Sequence, residues 1–285
     1  ADELSLYGRF DFILAKDGTP KILEFNADTP TSLLEASVIQ WQWKEDVFPE
    51  CDQFNGIHEG LVQSWKDIFP KKGEIHFAGA LENNEDTGTL QYLASTAMEA
   101  GFSTRVLDMQ ALDLQNGRFF DPAGELVNRC FKLYPWEWMV DESPDGCLAE
   151  MEWLEPIWKL VMSNKAILAT LYELFPDSPY VLPCYLSRPR SGLFCKKPVF
   201  SREGHNVSVV DIRNWEEHVR IAETEGDYNT GAYVYQEYVE PTVYSGRYPV
   251  IGSWIIGGEA VGIGIRENRM EVTDNLSEFV PHIIG

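Results

Sequence analysis

Residues 9–36 read RFDFILAKDGTPKILEFNADTPTSLLEA, and the interpretation of the whole chain starts from this stretch. Apolar and polar residues alternate over residues 8–14 and again over residues 21–25, with the sequence KDGTP between the two runs. Alternation on both sides of an Asp-Gly dipeptide is the strongest short-range signal for a β-hairpin. The stretch therefore predicts two antiparallel strands joined by a loop of two or four residues.

Such a loop makes residues face each other when their numbers sum to 35. One face of the hairpin is then apolar, since it pairs Phe10 with Phe25 and Phe12 with Leu23. The other face is polar, and it pairs Arg9 with Asn26 and Asp11 with Glu24.

The polar pair Asp11–Glu24 carries the most information. Directly opposed like charges destabilise a sheet, by about 3 kcal/mol at ~5 Å and an effective dielectric of ~20. A cation between the two carboxylates removes this cost, and the candidates are Arg9, a bound divalent metal, or both. Two carboxylates and the Asn26 carbonyl suit Mg²⁺ beside a phosphate. Two alternatives remain open, a solvated polar face and a three- or five-residue loop that shifts the register.

Length and composition exclude several classes of protein. The chain has 285 residues, 44% of them hydrophobic, and no apolar run approaches the ~18 residues of a membrane helix. Its five cysteines are scattered and never spaced C-x-x-C, which argues against a disulfide scaffold or zinc site and predicts a cytoplasmic protein. A net charge of −22 argues against nucleic-acid binding. Because the chain opens on Ala1, we expect a further N-terminal segment.

Hydrophobic periodicity along the chain predicts an α/β protein. Helices are predicted over residues 33–47, 58–69, 87–100, 152–175 and 215–225. Strands are predicted over residues 74–81, 102–107, 193–200, 207–211 and 233–239, with a long hairpin over 250–265 that turns at Gly257-Gly258. A boundary predicted at residues 176–179 divides the chain into regions 1–177 and 178–285, and the alternative is that the two regions intertwine as one unit.

Residues 74–107 have the pattern strand, loop, helix, strand, which predicts a parallel pair of strands. Ligands of open α/β sheets bind at the carboxyl ends of parallel strands. Glu85 and Asp86 follow the first strand and are therefore candidate site residues. Acidic capping of the following helix is an equally common explanation for this pair.

A second candidate site follows the strand that contains Lys196-Lys197-Pro198. The polar loop 201–206 contains Gly204 and can offer backbone N–H groups to phosphate, with Lys197 as the charge partner. The chain has no Walker motif, no H-E-x-x-H and no G-x-S-x-G. Carboxylates near one end of the chain, with lysines, arginines and a glycine loop near the other, are the residues needed to handle a nucleoside triphosphate with Mg²⁺.

Blocks of sequence along the chain resemble the glutathionylspermidine synthase family. The blocks are RFDF, KILEFNADTPTSLLEA, EDTGTLQYL, FKLYPWEW, ELFPDSPYVLP, KKPVFSREGHNV and IGSWIIGGEAVGIGIREN. The greater similarity is to its acid–amine ligase branch, which lacks an amidase domain. The resemblance implies an ATP-grasp-like fold, permuted so that the metal-binding hairpin precedes the phosphate-binding lysines. It also implies an ATP- and Mg²⁺-dependent, ADP-forming ligase that joins a carboxylate to an amine through an acyl phosphate.

The resemblance implies roles for individual residues. It implies that Mg²⁺ is bound by Asp11, Glu24 and Asn26, in agreement with the hairpin argument. It implies that ATP is contacted by Arg9, Asp11, Lys165, Lys197, Gly204, Gln236, Arg266 and the segment Glu271, Val272 and Thr273. Arg9 is also implied to stabilise charge in the transition state. The acid and amine substrates are implied to lie near Thr29, Glu85, Asp86 and Glu278.

The chain departs from true glutathionylspermidine synthases at the substrate positions. Thr29-Pro30-Thr31 stands where those enzymes have serines, Asp86 replaces a glutamate and Glu278 replaces an aspartate. The expected partners are thus a small-molecule acid and amine, for example a small peptide such as glutathione with a polyamine. The alternative hypothesis is a nucleotide-binding regulatory protein of the same fold without ligase turnover.

Overall fold

The computed structural model describes residues 4–202, 204–213, 218–226, 231–270 and 277–285. The first strands along the chain are β1 Tyr7–Leu14, β2 Pro20–Asn26, β3 Glu74–Gly79, β4 Ser103–Asp108, β5 Asp113–Gln115, β6 Arg118–Phe120, β7 Leu126–Val127, β8 Arg129–Leu133 and β9 Glu152–Leu154. The later strands are β10 Cys184–Tyr185, β11 Gly192–Pro198, β12 Ser208–Ile212, β13 His218–Glu223, β14 Tyr233–Glu237, β15 Tyr248–Ile256, β16 Glu259–Asn268 and β17 Glu278–Val280. The α-helices are α1 Gln40–Val47, α2 Ile57–Ile68, α3 Asn84–Glu99, α4 Trp136–Glu142, α5 Pro144–Cys147, α6 Lys159–Ser163 and α7 Ile167–Leu174.

Within the described ranges, these strands form four sheets. Two five-stranded sheets have the orders β17-β16-β15-β1-β2 and β10-β14-β11-β12-β13, and their pairs are antiparallel. A four-stranded sheet β4-β3-β8-β9 is parallel, and a small antiparallel sheet has the order β5-β6-β7. The first sheet joins β1 and β2 to strands from the far end of the chain. The boundary proposed near residue 177 remains a prediction.

The predicted hairpin forms, but its loop length and the pairing next to the loop differ from the prediction. Its loop has three residues, since Leu14 pairs with Pro20 and the Ala15 N–H bonds the Thr19 carbonyl at 3.0 Å. This loop alone would shift the register by one. A bulge beside Phe12 corrects it, because Phe12 pairs with Ile22 rather than with the predicted Leu23.

Beyond the bulge the predicted pairs are confirmed: Arg9 with Asn26, Phe10 with Phe25 and Asp11 with Glu24. The Phe10 and Phe25 rings stack with their centroids 4.0 Å apart. The polar face is nevertheless the buried one at Arg9 and Asp11, which are 4% and 2% exposed, while Phe10 is only partly buried. The solvated polar face considered as an alternative is therefore wrong for these two residues.

The main core lies between the first sheet and the parallel sheet. Trp254 and Tyr7 of the first sheet are buried in the same apolar cluster as Phe77 and Phe131 of the parallel sheet, with Trp65 of α2 packed edge-on against both phenylalanines. Helices α2 and α3 pack on each other and on these sheets. The predicted parallel pair β3–β4 and the helix between them are confirmed.

Two predicted helices are wrong in part. The segment predicted as one helix from residue 152 begins with strand β9, which pairs parallel with β8. Residues 218–223, predicted as helix, form β13 and pair with β12. Val219 and Ile221 alternate in this segment, and the hydrogen bonds offered by a neighbouring strand outweigh a weak helical pattern. Trp215, where that helix was predicted to begin, lies outside the described residues.

The other predicted elements are confirmed within a few residues at their ends. The helix predicted over 33–47 is continuous, with a π-helical turn at Glu35–Ile39 ahead of α1. The predicted long hairpin is β15–β16, and it turns at Gly257-Gly258. Across the part of the chain that the structure describes, no helix is both long and apolar enough to span a membrane.

Candidate active site

A cleft between the two five-stranded sheets collects predicted site residues from distant parts of the chain. Its polar lining includes Asp11, Glu24, Lys165, Lys197, Gly204 and Gln236. Its apolar lining includes Ile13, Leu23, Leu182, Val207, Val239 and Val250. Such a cleft offers charged groups to a polyphosphate and an apolar slot to a flat ring.

Two arginines neutralise the Asp11 carboxylate. Arg9 Nε and Nη2 donate to Asp11 at 2.6 and 3.0 Å, and Arg266 Nη2 donates to Asp11 Oδ2 at 2.6 Å. Burial by itself lowers the pKa of the Arg9 guanidinium, but the Asp11 charge raises it above its usual value. Gly252 gives Arg9 room, since a Cβ there would lie 2.6 Å from Arg9 Cδ. Arg9 therefore stays charged beside the carboxylate.

Glu24 has its own cationic partners. Lys165 Nζ lies 3.0 Å from Glu24 Oε2. Burial alone raises the pKa of Glu24, but the charges of Lys165 and Lys197 outweigh it and bring this pKa down to about 2. Cationic side chains of the protein thus compensate the repulsion expected between Asp11 and Glu24. Arg9, one of the predicted candidates, is among them.

Three predicted metal ligands lie close to one another. Asn26 Nδ2 is 3.2 Å from Asp11 Oδ2 and 3.3 Å from Glu24 Oε1. Rotating the Asn26 amide by 180° puts its carbonyl oxygen beside both carboxylates. Two carboxylate oxygens and one amide oxygen are hard ligands of the kind that Mg²⁺ prefers. Among the described residues no group of three or more His, Cys, Asp or Glu is arranged to hold a metal, so a metal here would need ligands from outside the protein as well.

Lys197 of β11 contacts the bulge of the hairpin inside the cleft. Its Nζ donates to the Leu23 carbonyl at 3.0 Å and to Gln236 Oε1 at 2.7 Å. Leu23 is the unpaired residue of the bulge, so its carbonyl is available to Lys197. Gln236 Nε2 in turn donates to the Ile22 carbonyl at 2.8 Å. The hairpin and strands β11 and β14 are thereby tied together through the two predicted nucleotide-contacting side chains.

A second cavity continues from the cleft past Lys165 and Glu24. It is lined by Asn26, Asp28, Thr29, Glu137, Ser201 and Arg202 among others. Arg202 Nη2 donates to Glu137 at 2.6 Å, and Arg202 Nη1 donates to the Thr29 hydroxyl at 2.5 Å. Sequence reasoning did not assign Arg202 or Glu137. The signal for Arg202 was its place in the polar loop after β11, and nothing local marked Glu137.

A third cavity holds the predicted acidic pair. Glu85 and Asp86 line it together with Thr29, Trp138 and Arg202. Both acidic residues lie in the first turn of α3, whose cap is Asn83, with the Asn83 side chain accepting from the Glu85 N–H at 2.9 Å. The structure therefore supports helix capping at this turn and also places the pair at a cavity. The three cavities form a chain, since Glu24 and Lys165 line the first two and Thr29 and Arg202 line the last two.

The remaining predicted residues lie elsewhere. Glu278 is on the outer strand β17, and its carboxylate is 3.0 Å from Arg247 and lines none of these three cavities. Glu271, Val272 and Thr273 lie outside the described residues. Arg266 reaches the cleft residues through Asp11, and burial followed by the charge of Arg9 lowers its pKa.

A buried ion pair supports the loop that follows the hairpin. Lys132 Nζ donates to Asp28 Oδ1 at 2.7 Å, and the Trp136 N–H donates to Asp28 Oδ2 at 2.9 Å. Asp28 and Lys132 are 1% and 0% exposed. This pair fixes the loop with Thr29 to the parallel sheet. No sequence signal revealed it, because the two residues are 104 positions apart.

Comparison with known proteins supports the resemblance seen in the sequence. The whole chain, residues 1–285, matches the family described as "Glutathionylspermidine synthase preATP-grasp". A Haemophilus influenzae protein named as an acid–amine ligase is 39% identical over 97% of this chain and 74% of its own length. A Crithidia fasciculata trypanothione synthetase is 28% identical over 95% of this chain. The Escherichia coli bifunctional glutathionylspermidine synthetase/amidase is 26% identical over 97% of this chain.

Two of these relatives are much longer, since the match spans 46% of the trypanothione synthetase and 49% of the bifunctional enzyme. Solved structures share the fold at low identity. A Methylobacillus flagellatus protein named as a gamma-glutamylcysteine synthetase has a TM-score of 0.67 and 10% identity, covering 98% of this chain and 80% of that one. A glutathione synthetase-like effector from Globodera pallida has a TM-score of 0.62 and 9% identity, covering 99% of this chain and 77% of that one. With this mixed α/β fold and a family match over its whole length, the chain belongs to the glutathionylspermidine synthase family.

Proposed function

We propose that this protein is an ATP- and Mg²⁺-dependent ligase that joins a carboxylate to an amine and releases ADP and phosphate. The observation that carries the proposal is the first cleft, where six predicted residues from four separate stretches of the chain meet. The names of the relatives support amide-bond chemistry. Their greater length leaves the activity and the substrates of this protein to be tested.

In this proposal, the cations of the cleft bind the nucleotide. Lys165 and Lys197 neutralise phosphate charge, and the apolar side chains of the cleft hold the base. Arg9 is fixed between Asp11 and Trp254, over whose ring its guanidinium lies at 5.7 Å. A charge held rigidly by such contacts stabilises developing negative charge without reorganising during the reaction. Strands β1, β11 and β14 supply the frame of this permuted ATP-grasp-like site.

Asp11, Glu24 and Asn26 would hold Mg²⁺, with Lys165 displaced from Glu24 toward the phosphates. The metal would supply charge neutralisation at the transferred phosphoryl group. Burial keeps the Asp11 carboxylate in place, and the low pKa of Glu24 keeps that side chain ionised at neutral pH. Ionised carboxylates are the form that binds a divalent cation.

The second and third cavities would hold the substrates. A carboxylate oxygen of the acid attacks the γ-phosphorus, ADP leaves, and an acyl phosphate forms. The amine nitrogen then attacks the acyl carbon, phosphate leaves, and the nitrogen loses a proton to give the amide. Thr29 lies in both cavities, where it would contact the acid, and Glu85 and Asp86 would receive a cationic amine. Gly204 lines the cleft, and Ser201 and Arg202 line the second cavity, where a closing loop would shield the acyl phosphate from water.

A phosphate-release assay tests the proposal. The chain is incubated with Mg²⁺–ATP, a pool of small peptides that includes glutathione, and a pool of polyamines and other amines. We expect phosphate, ADP and a new amide, detected by mass spectrometry, only when both pools are present. An acid labelled with ¹⁸O in its carboxylate should transfer one label to the released phosphate, as an acyl phosphate requires.

Lys197→Ala is the control for contaminating activity. The protein could instead bind ATP and release no phosphate when both pools are present. That result would contradict the ligase proposal and favour a nucleotide-binding regulatory protein. An amide that forms without transfer of ¹⁸O would contradict the acyl phosphate.

A further inference from the structure

The second five-stranded sheet has a depression on the face that points away from the cleft. Consecutive residues of a strand point to opposite faces of a sheet. Lys197 lines the cleft, whereas its neighbour Lys196 lines the depression, which has a volume of about 180 Å³. The two lysines of the Lys196-Lys197-Pro198 segment thus serve two different sites.

Three cations meet in this depression: Arg188, Lys196 and Arg220. The chain has 23 Lys and Arg against 45 Asp and Glu, so such a cluster opposes the overall charge. Burial, and then the charges of Arg220 and Arg188, lower the pKa of the Lys196 ammonium against an opposing effect of Glu223. Glu223 is itself engaged in an ion pair with Arg220.

The strands hold these groups in place. Lys196 pairs in register with Ser208 on one side and with Tyr235 on the other, and both line the depression. Arg220 lies opposite Val210 on the next strand. The Lys196 ammonium is 3.8 Å from the centre of the Tyr233 ring, which fixes its position. Four neighbouring strands supply all of the lining except Arg188, so the cluster does not depend on a single exposed side chain.

The surroundings favour an anion. The walls include Val210 and Ile212, which are 4% and 1% exposed, and Ser208 is 4% exposed. Apolar walls reduce the screening of charge by water, so like charges repel more strongly and an anion between them gains more. Hydroxyl groups donate to oxyanions, and arginine and lysine are the side chains that recognise phosphate.

We propose that this depression binds a compact oxyanion of the phosphate type, as inorganic phosphate or as a phosphate monoester, at a site separate from the nucleotide cleft. The ligand would take charge-assisted hydrogen bonds from Lys196 and the arginines, and one hydrogen bond from Ser208 or Tyr235.

Thermal melting with the cleft filled tests this proposal. The chain is saturated with Mg²⁺ and a non-hydrolysable ATP analogue, and inorganic phosphate is added at constant ionic strength set with chloride. We expect a saturable rise in the melting temperature. Lys196→Gln and Arg220→Gln should each weaken the apparent affinity about 10-fold or more, as the loss of one charged hydrogen bond predicts. Glycerol phosphate, run in parallel, distinguishes a monoester site from one for free phosphate.

Lys197→Gln is the matched control, because it removes the adjacent charge on the opposite face. This variant should keep the phosphate response, and ³¹P line broadening of the added phosphate gives a second readout for any variant with a lowered melting temperature. A response equal to wild type in Lys196→Gln and Arg220→Gln would overturn the proposal. So would loss of the response only in Lys197→Gln, or no response to either anion.

Discussion

The two acidic pairs that the sequence singles out are held in different ways. Asp11 has a side chain only 3% exposed and contacts arginines of β1 and β16, and Glu24 is 26% exposed beside Lys165. Glu85 is exposed and Asp86 partly buried, at the start of one helix. The first pair is compensated by Arg9 of the same strand and by Lys165 and Arg266 from distant parts of the chain, whereas a local turn holds the second.

This difference separates two kinds of contribution. A buried charge whose partners come from other strands is part of what holds the sheets together, so its removal affects stability and ligand binding at once. An exposed charge at a helix terminus acts through solvent, where salt screens it, and its removal changes little besides the field near the cavity.

Asp11→Asn should lower the free energy of unfolding by about 3–5 kcal/mol, because it leaves Arg9 and Arg266 buried without their carboxylate. Urea unfolding of the nucleotide-free protein measures the effect. Glu150→Gln is the control, since the Arg118–Glu150 pair is 53% and 76% exposed, and it should change the unfolding free energy by less than about 0.5 kcal/mol. If Asp11→Asn changed the unfolding free energy as little as Glu150→Gln does, the buried contacts of Asp11 would add nothing to stability.

Lys197→Ala should slow ATP-dependent turnover about 100- to 1000-fold, as expected for removal of one fixed donor from a charged transition state. Lys196→Ala, one residue away on the opposite face of β11, should change turnover less than about 3-fold. Steady-state rates with Mg²⁺–ATP measure both variants. Similar losses from the two substitutions would contradict the assignment of Lys197 to the cleft.

Glu24→Gln should flatten the acid limb of the stability curve. The pKa of Glu24 is about 2 in the folded protein, below the ordinary value of 4.5 expected in the unfolded chain. A depressed carboxyl pKa gives stability that is complete above pH ~4.5 and disappears as the pH falls toward 2. As the pH falls over this range, the free energy of unfolding of the wild-type protein should therefore drop by at most about 3 kcal/mol more than that of the variant.

Chemical denaturation at a series of pH values measures this loss. Glu240→Gln is the matched control, because the Lys16–Glu240 pair is exposed by 66% and 60%. A wild-type and a Glu24→Gln curve that stay parallel from pH 5 to pH 2 would show that Lys165 and Lys197 do not stabilise the ionised form of Glu24.

Replacing Glu85 by Gln together with Asp86 by Asn should raise the KM of a cationic acceptor about 3- to 10-fold and leave the KM of Mg²⁺–ATP unchanged. Attraction across solvent is screened within ~8 Å at physiological salt, so the wild-type acceptor KM should rise with salt and that of the variant should rise less. The matched control replaces Glu45 by Gln and Asp46 by Asn, an exposed pair with the same charge. If both double variants changed the acceptor KM equally, Glu85 and Asp86 would have no role at the acceptor site beyond capping the helix.

Local patterns in the sequence predict most of the helices and strands, and sequence blocks predict several site residues. Asp17-Gly18 between alternating runs fixed the hairpin, and the spacing of residues 74–107 fixed the parallel pair, because both depend on patterns within a few tens of residues. Lys197, Gly204 and Gln236 were assigned to the nucleotide site, and the structure brings them to the cleft that Asp11 and Glu24 line. Their roles there remain proposals.

Contacts between distant elements decide which face of the hairpin is buried and which cations neutralise its carboxylates. Alternation shows that Arg9 and Asp11 share a face, but side chains and backbone from other elements cover it: Arg9 donates to the Thr31 carbonyl and lies over Trp254, and Arg266 donates to Asp11. Leu23, Arg202 and the Asp28–Lys132 pair were missed for the same reason. A bulge, a loop contact and an ion pair 104 residues apart depend on where other strands lie, and no local periodicity encodes that.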